Sequence, residues 1–533
     1  MSTHAAVPVT ETAYAVEQKQ HLVKTLGRFD MVFFTVAVIV GLDLIGQAAS
    51  NGMEALTWAV VLTVLFLFPY GLVMAEMGSA FTAEGGPYEW VKLSLGRFWA
   101  GLNTIFYWVT NPLWIGGSLA FIGAEAWSSG ISHIGSGGFW DYLFKFAFIW
   151  ASISSAIIAF RVGKWIPTLG AILKVALVCV FAITVLIYGI DNGFEGIDVG
   201  GLSPTGAGLL GIAPLLLFSF VGFEGQNGAA EEMKDPQRDV PASLVRSGAL
   251  AAFCYLVPIF LVLLVLPTDA ITGLGGFLDA VRESYTIYGG AASFLYGVTC
   301  VLFILTLMNS GASWMMCGDR VLAVGSADGA FFPYFGAFHP RLGTPLRANV
   351  LSGVMATAFT VAATVLLSGG AADTFGVVLN IAISTTLISY ILIFPSAYLL
   401  RRKYPEVRRP FKLGEGSGLL LACSALITFW VVLGSWTAVF PGTLDELLGL
   451  GYSFDENWGV SQGTFMLFTL GTLAVIVAIF LAGYRAAASV RAYTVPVALA
   501  DAEPTERVGR WSRDEADIAA ERMSGDAPGG DHL

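Results

Sequence analysis

Two short stretches decide the fold: Gly41-Leu42-Asp43-Leu44-Ile45-Gly46, midway along an apolar run at 31–52, and Val221-Gly222-Phe223-Glu224-Gly225, midway along another at 207–230. Each sets an acid between glycines inside a segment otherwise suited to lipid. An ionisable side chain at membrane depth costs at least about 2.5–3.5 kcal/mol, and glycine weakens a helix interior. Both runs are therefore expected to be interrupted where the acid sits.

The surrounding composition supports lipid as the solvent. Of 533 residues, 56% are apolar and only 13% charged, and the mean hydropathy is +0.71, which leaves too little polar surface for a soluble enzyme of this size. Runs such as Trp58 to Met74, Phe146 to Phe160, Ala252 to Leu266 and Met466 to Ala482 approach the roughly 20 residues that cross about 30 Å of hydrocarbon. Helices are the expected form because they pair their own backbone groups, and no stretch alternates long enough for a β-barrel. The first thirty residues show no apolar segment followed by a small-residue cleavage site, so no cleaved signal is expected. The five cysteines, Cys179, Cys254, Cys300, Cys317 and Cys423, fall inside apolar runs without paired spacing. They read as small core hydrophobes, not as disulfides or metal ligands. No cofactor and no nucleic-acid partner is indicated, and the net charge of -11 says little about partners in a membrane protein.

The runs resolve into twelve expected spans, at 31–52, 55–77, 100–126, 140–160, 166–189, 207–230, 243–266, 291–316, 348–368, 373–399, 417–440 and 462–484. With the N-terminus placed in the cytoplasm, all of the 28 Lys and Arg residues except Arg282, Lys145 and Lys174 fall on the inner side. Lys/Arg bias sets orientation, so this partition supports the count, the register and both termini inside the cell membrane. The expected organisation is a polar tail at 1–28, a membrane domain at 29–484 and a second tail at 485–533, with both tails solvated and the second disordered. No separate soluble domain is expected, and the oligomeric state is not read from the sequence.

Asp43 and Glu224 occupy corresponding places. Spans 1 and 6 each begin a five-span set, and Gly-interrupted spans at matching positions in two halves point to an inverted-repeat transporter with substrate at the broken-helix ends. A third charge, Lys174, lies about nine residues past Trp165, roughly 13 Å along the helix, too deep for easy snorkelling. It faces protein in this reading. The plainer alternative is a structural ion pair among Asp43, Glu224 and Lys174, with the glycines serving close helix packing.

At this point the chain resembles the amino acid–polyamine–organocation family of permeases, from about Arg28 to Lys412. The resemblance is carried by GFEGQNGAAEEMKDPQRDVP (Gly222 to Pro241), AEMGSAFTAEGGPYEW (Ala75 to Trp90), DRVLAVGSADGAFFP (Asp319 to Pro333) and LLRRKYPEVRRPF (Leu399 to Phe411). It implies an all-α membrane protein of the LeuT-type fold: twelve transmembrane helices, five plus five in inverted repeat (about 31–189 and 207–399) with two appended (417–484), working by alternating access. By resemblance, Phe218 matches the aromatic that closes over substrate from outside, Trp314 a tryptophan near the inner gate, and Lys174 a lysine at the position where sodium-coupled relatives bind their ion. Gly41, Asp43, Gly46, Phe218, Gly222, Glu224 and Trp314 are thus the expected substrate-binding residues, and Lys174 with Glu224 the expected coupling residues.

One departure bears on substrate. Amino acid carriers of the family typically have Gly-Ser-Gly-Ile-Gly in span 1, whose backbone amides receive the substrate carboxylate. Here the segment holds Asp43, which repels a carboxylate and attracts an ammonium, as in polyamine-uptake members. Amino acid transport, proton-coupled or by exchange, and polyamine or amine transport both stay open, with a non-transporting amino acid sensor as a remote third. A channel would favour rings of acids from an oligomer. An enzyme would need a cluster at depth that the histidines do not supply, since His4, His21, His133, His339 and His532 lie in tails and loops.

Overall fold

The computed structural model describes residues 8–20, 27–162, 165–194, 200–366, 371–451, 454 and 461–498. Among them, eleven helices are long and apolar enough to cross a membrane. The first expected span is the exception, because it is divided: one helix runs Arg28–Ile39, Val40 to Asp43 leave the helix, and a second runs Leu44–Ala49. Span 6 is divided likewise, into a helix at Gly206–Phe220 and a 3-10 segment at Phe223–Glu232, joined through Gly222 at φ 129°. That angle is open to glycine and strained for any other residue.

The remaining spans are Gly52–Ala80, Arg97–Gly130, Phe139–Val162, Trp165–Asn192, Pro236–Val265, Ala292–Ala327, Leu346–Leu366, Ala371–Lys403, Gly418–Val439 and Gln462–Ala486. Spans 1, 2, 6 and 7 pack on one another, and spans 3, 4, 8 and 9 form a second group. Span 5 bridges spans 1, 7 and 8, span 10 bridges spans 2, 3 and 6, and spans 11 and 12 attach outside. Span 5 shows how the sequence arranges this. Ile172, Val180, Ile183, Leu186 and Ile190 present an exposed apolar face to lipid, while Lys174, Val178, Phe181 and Val185 are buried, as the helical repeat of 3.6 residues requires.

Two spans carry π turns, at Thr63–Leu67 in span 2 and Ile115–Leu119 in span 3. Such turns shift the helical register on their C-terminal side relative to their N-terminal side, and Tyr70 and Trp114 stand next to them.

Three features go beyond the sequence reading. A helix at Gly276–Ser284 fills the loop between spans 7 and 8, and another at Gly86–Leu95 the loop between spans 2 and 3. The expected solvated tails are also partly folded: Pro8–Thr12 pairs antiparallel with Thr494–Ala498, in the register Val9 to Val497. The Thr12 N–H donates to Asp328 Oδ1 at 2.9 Å and its hydroxyl to the Ala327 carbonyl at 2.7 Å. Each tail is polar when read alone, and the ladder exists only because the two meet. Residues 1–7, 21–26 and 499–533 lie outside the described residues.

Candidate functional site

A helix that stops inside a membrane leaves its last carbonyls without partners, and no lipid can supply them. At the end of Arg28–Ile39 three side chains from three different spans do so. Lys174 Nζ on span 5 donates to the Ala37 carbonyl at 2.6 Å, Trp314 Nε1 on span 8 to Val38 at 2.8 Å, and the Tyr255 hydroxyl on span 7 to Ile39 at 2.7 Å. The Tyr255 oxygen in turn accepts the Gly41 N–H at 2.8 Å. The ammonium of Lys174 also suits the negative end of the helix dipole. This position explains how a fully buried lysine is tolerated in span 5.

Asp43 begins the second half of span 1. Its Oδ2 accepts the Trp114 indole N–H at 3.0 Å, whereas Oδ1 has no hydrogen-bond partner. Trp114 packs edge-on against Phe218 and Trp314, with ring centroids 6.1 and 6.5 Å away. The open oxygen is therefore a carboxylate acceptor beside an aromatic cluster, suited to a cation by its charge. Gly41 adjoins it: a Cβ there would lie 2.7 Å from Asp43 Oδ1. Gly46 does not join this group. A Cβ on Gly46 would come within 3.2 Å of Thr272 O, Gly273 O and Phe277 N, so this glycine allows close packing against the start of the Gly276–Ser284 helix.

Glu224 is enclosed. Its Oε1 accepts from Tyr107 at 2.9 Å and Tyr390 at 2.6 Å, and its Oε2 accepts from Tyr70. The Tyr70 oxygen also accepts the N–H groups of Gly222 and Phe223, each at 2.9 Å. Tyr107 lies 6.2 Å from Trp314, ring to ring. Rings thus lead from the Asp43 partner Trp114 through Trp314 to the Glu224 partner Tyr107. Glu224 offers no free oxygen unless a tyrosine moves. Among the described residues no three His, Cys, Asp or Glu side chains converge as a metal ion would need.

Known proteins share this architecture. A family profile described as "Amino acid permease" matches residues 26–445. The chain belongs to the amino acid permease family.

A Lactococcus lactis protein described as "Probable agmatine/putrescine antiporter AguD" is 25% identical over 84% of this chain and 94% of its own length. The branched-chain amino acid permease BcaP of Bacillus subtilis is 22% identical, covering 82% and 93%. Among solved structures, a mutant of the manganese transporter of Eremococcus coleocola superposes with a TM-score of 0.56 at 12% identity, covering 87% of this chain and 94% of that one. At that identity the likeness concerns the fold. The permease is accordingly a multi-span secondary transporter of a cell membrane, for small molecules such as amino acids or amines.

The family loops find their role in the structure. Glu76 pairs with Arg401, whose Nε lies 2.7 Å away, and with Arg409 at 3.3 Å. Glu84 meets Arg320 at 3.0 Å, and Asp328 meets Arg97 at 3.0 Å and Lys92 at 3.3 Å. Burial favours the neutral form of Asp328, but Lys92 and Arg97 outweigh it and hold the carboxyl below its ordinary range. The acids of the motifs after spans 2 and 8 are thus neutralised by Arg320, Arg401 and Arg409 of the motifs and by Lys92 and Arg97 just beyond the first. Trp114, Tyr70, Tyr107, Tyr255 and Tyr390 were not singled out by sequence. Their one signal was a polar tip on a large ring inside an apolar span, which wants a partner when buried.

Proposed function

We propose that this permease carries cationic amines, of the polyamine class, by alternating access around the two broken spans. The observation that carries the reading is Asp43 Oδ1, a buried carboxylate oxygen without a hydrogen-bond partner, on a side chain held by Trp114, against which Trp314 and Phe218 pack. An ammonium there gains a charge-assisted hydrogen bond. The description of the Lactococcus relative as an agmatine/putrescine antiporter agrees with this reading.

Gly41, Asp43, Phe218 and Trp314 form the binding centre in this scheme, with Gly222 supplying the bend in span 6. Glu224, tied to spans 2, 3 and 10 by Tyr70, Tyr107 and Tyr390, acts as a latch beneath it. For the site to open inward the latch must release, and a protonated Glu224 would hold those hydroxyls less strongly than a carboxylate does. Lys174, bonded to the first half of span 1, is the coupling residue, and protons are the coupled ion. Both termini lie in the cytoplasm, in keeping with the Lys/Arg partition.

Uptake and exchange in proteoliposomes test the reading, using labelled putrescine, spermidine, agmatine, arginine, leucine and γ-aminobutyrate under imposed pH or Na⁺ gradients. Putrescine or agmatine is expected to accumulate or exchange, driven by pH and indifferent to Na⁺. Transport of leucine in preference to every amine would return the chain to the amino acid carriers and Asp43 to a structural role.

A further inference from the structure

We infer that Tyr255 sets the charge class of the substrate, because its hydroxyl occupies the backbone amide of Gly41 that a substrate carboxylate would otherwise use. The inference rests on the reading of the centre as the substrate site. Free N–H groups at a break in a helix are a receptor for carboxylates, since nothing else at membrane depth competes for them. In span 1 the Gly41 N–H is directed to the Tyr255 oxygen at 2.8 Å, and the proton of the same hydroxyl is committed to the Ile39 carbonyl at 2.7 Å. The ring is buried and held edge-on by Phe220, with centroids 5.7 Å apart.

Span 6 repeats the arrangement. The Gly222 and Phe223 amides both end on the Tyr70 hydroxyl. The Gly41, Gly222 and Phe223 amides are therefore taken inside the protein before any substrate arrives. The Asp43 carboxylate stands at the start of Leu44–Ala49 without capping it, and its charge repels a second carboxylate there. A carboxylated substrate would have to displace a tyrosine and also face Asp43. Its decarboxylated counterpart meets neither obstacle. Tyr255 is a positioning residue in this scheme: it acts on the substrate through the Gly41 amide.

The test uses the reconstituted full chain and a pair of competitors that differ by one carboxylate, putrescine and ornithine, against labelled putrescine. In the wild type, ornithine should compete at least about ten-fold less well, the worth of one hydrogen bond to a charged group. Tyr255→Phe removes the hydroxyl, frees the Gly41 N–H and should narrow that ratio by about ten-fold. Tyr255→Met, which also lacks the hydroxyl, serves where the Phe variant does not purify as a monodisperse protein. A lost cap alone would weaken both competitors alike, so the ratio separates specificity from damage. Equal competition in the wild type, or an unchanged ratio in a folded hydroxyl-free variant, overturns the inference. Asp43→Asn run alongside keeps the two readings apart: if it leaves putrescine competition intact, the site reading fails, whatever Tyr255 does.

Discussion

Tyr70 on span 2 receives the amides that follow the break in span 6, and Tyr255 on span 7 bridges the break in span 1. Spans 2 and 7 are the second members of the two five-span repeats, so the relationship is reciprocal: each repeat lends a phenol to the broken helix of the other. The two phenols differ in what they donate to, Tyr70 to the Glu224 side chain and Tyr255 to a backbone carbonyl. The first is thereby tied to a group that can change charge, and the second to one that cannot.

Asp43→Asn keeps the size of the side chain and removes its charge. Amine uptake is expected to fall at least about one hundred-fold, consistent with the loss of a charge-assisted hydrogen bond together with its Coulombic share, while the purified protein stays monodisperse. Unchanged uptake kinetics would make Asp43 structural.

Trp114→Phe retains a ring against Phe218 and Trp314 but removes the indole N–H from Asp43 Oδ2. The carboxylate then has two open oxygens and no fixed orientation. The half-saturation concentration for amines should rise roughly ten-fold, the scale of one hydrogen bond to a charged acceptor, with a smaller change in maximal rate. The concentration dependence of initial uptake measures both, and a fall confined to the maximal rate would argue against orientation.

Lys174→Ala leaves the Ala37 carbonyl without its donor. A loss of about 1–3 kcal/mol in stability is expected from a buried unsatisfied group, read as a lower melting temperature in detergent. The pH profile of uptake should change as well. A reduced rate with the same pH profile would place coupling elsewhere.

Asp328→Asn breaks the contacts to Arg97 and Lys92 just past the end of span 8. Removing one partner of a buried pair costs on the order of 3 kcal/mol, so melting should fall by several degrees at pH 7. The sign of the pH dependence comes from the depressed titration of this carboxyl. Its stabilisation is present above the unfolded value, about 3.9, and is lost as pH falls through the lower folded value. The wild type should lose this contribution only in strong acid, and the variant should show no such loss. Parallel acid transitions in the two proteins would refute the assignment.

The solvent and the places where two helices break were legible in the amino-acid sequence alone, which also carries a Lys/Arg partition that favours one orientation. Apolar length, Lys/Arg partition and glycine beside acid are local properties, and each acts through the bilayer or through the backbone before any tertiary contact forms. Tertiary structure decided what the breaks present. Asp43, Lys174 and Glu224 look equivalent in sequence as buried charges, yet one keeps an open oxygen, one caps a helix end and one is closed in by three phenols. Those outcomes depend on Trp114, Tyr255, Tyr70, Tyr107 and Tyr390, which come from spans far apart in the chain. No periodicity marks them, because a side chain that completes another helix's hydrogen bonds is chosen by where it arrives. The same holds for the paired terminal strands, whose ladder needs both ends of the chain at once.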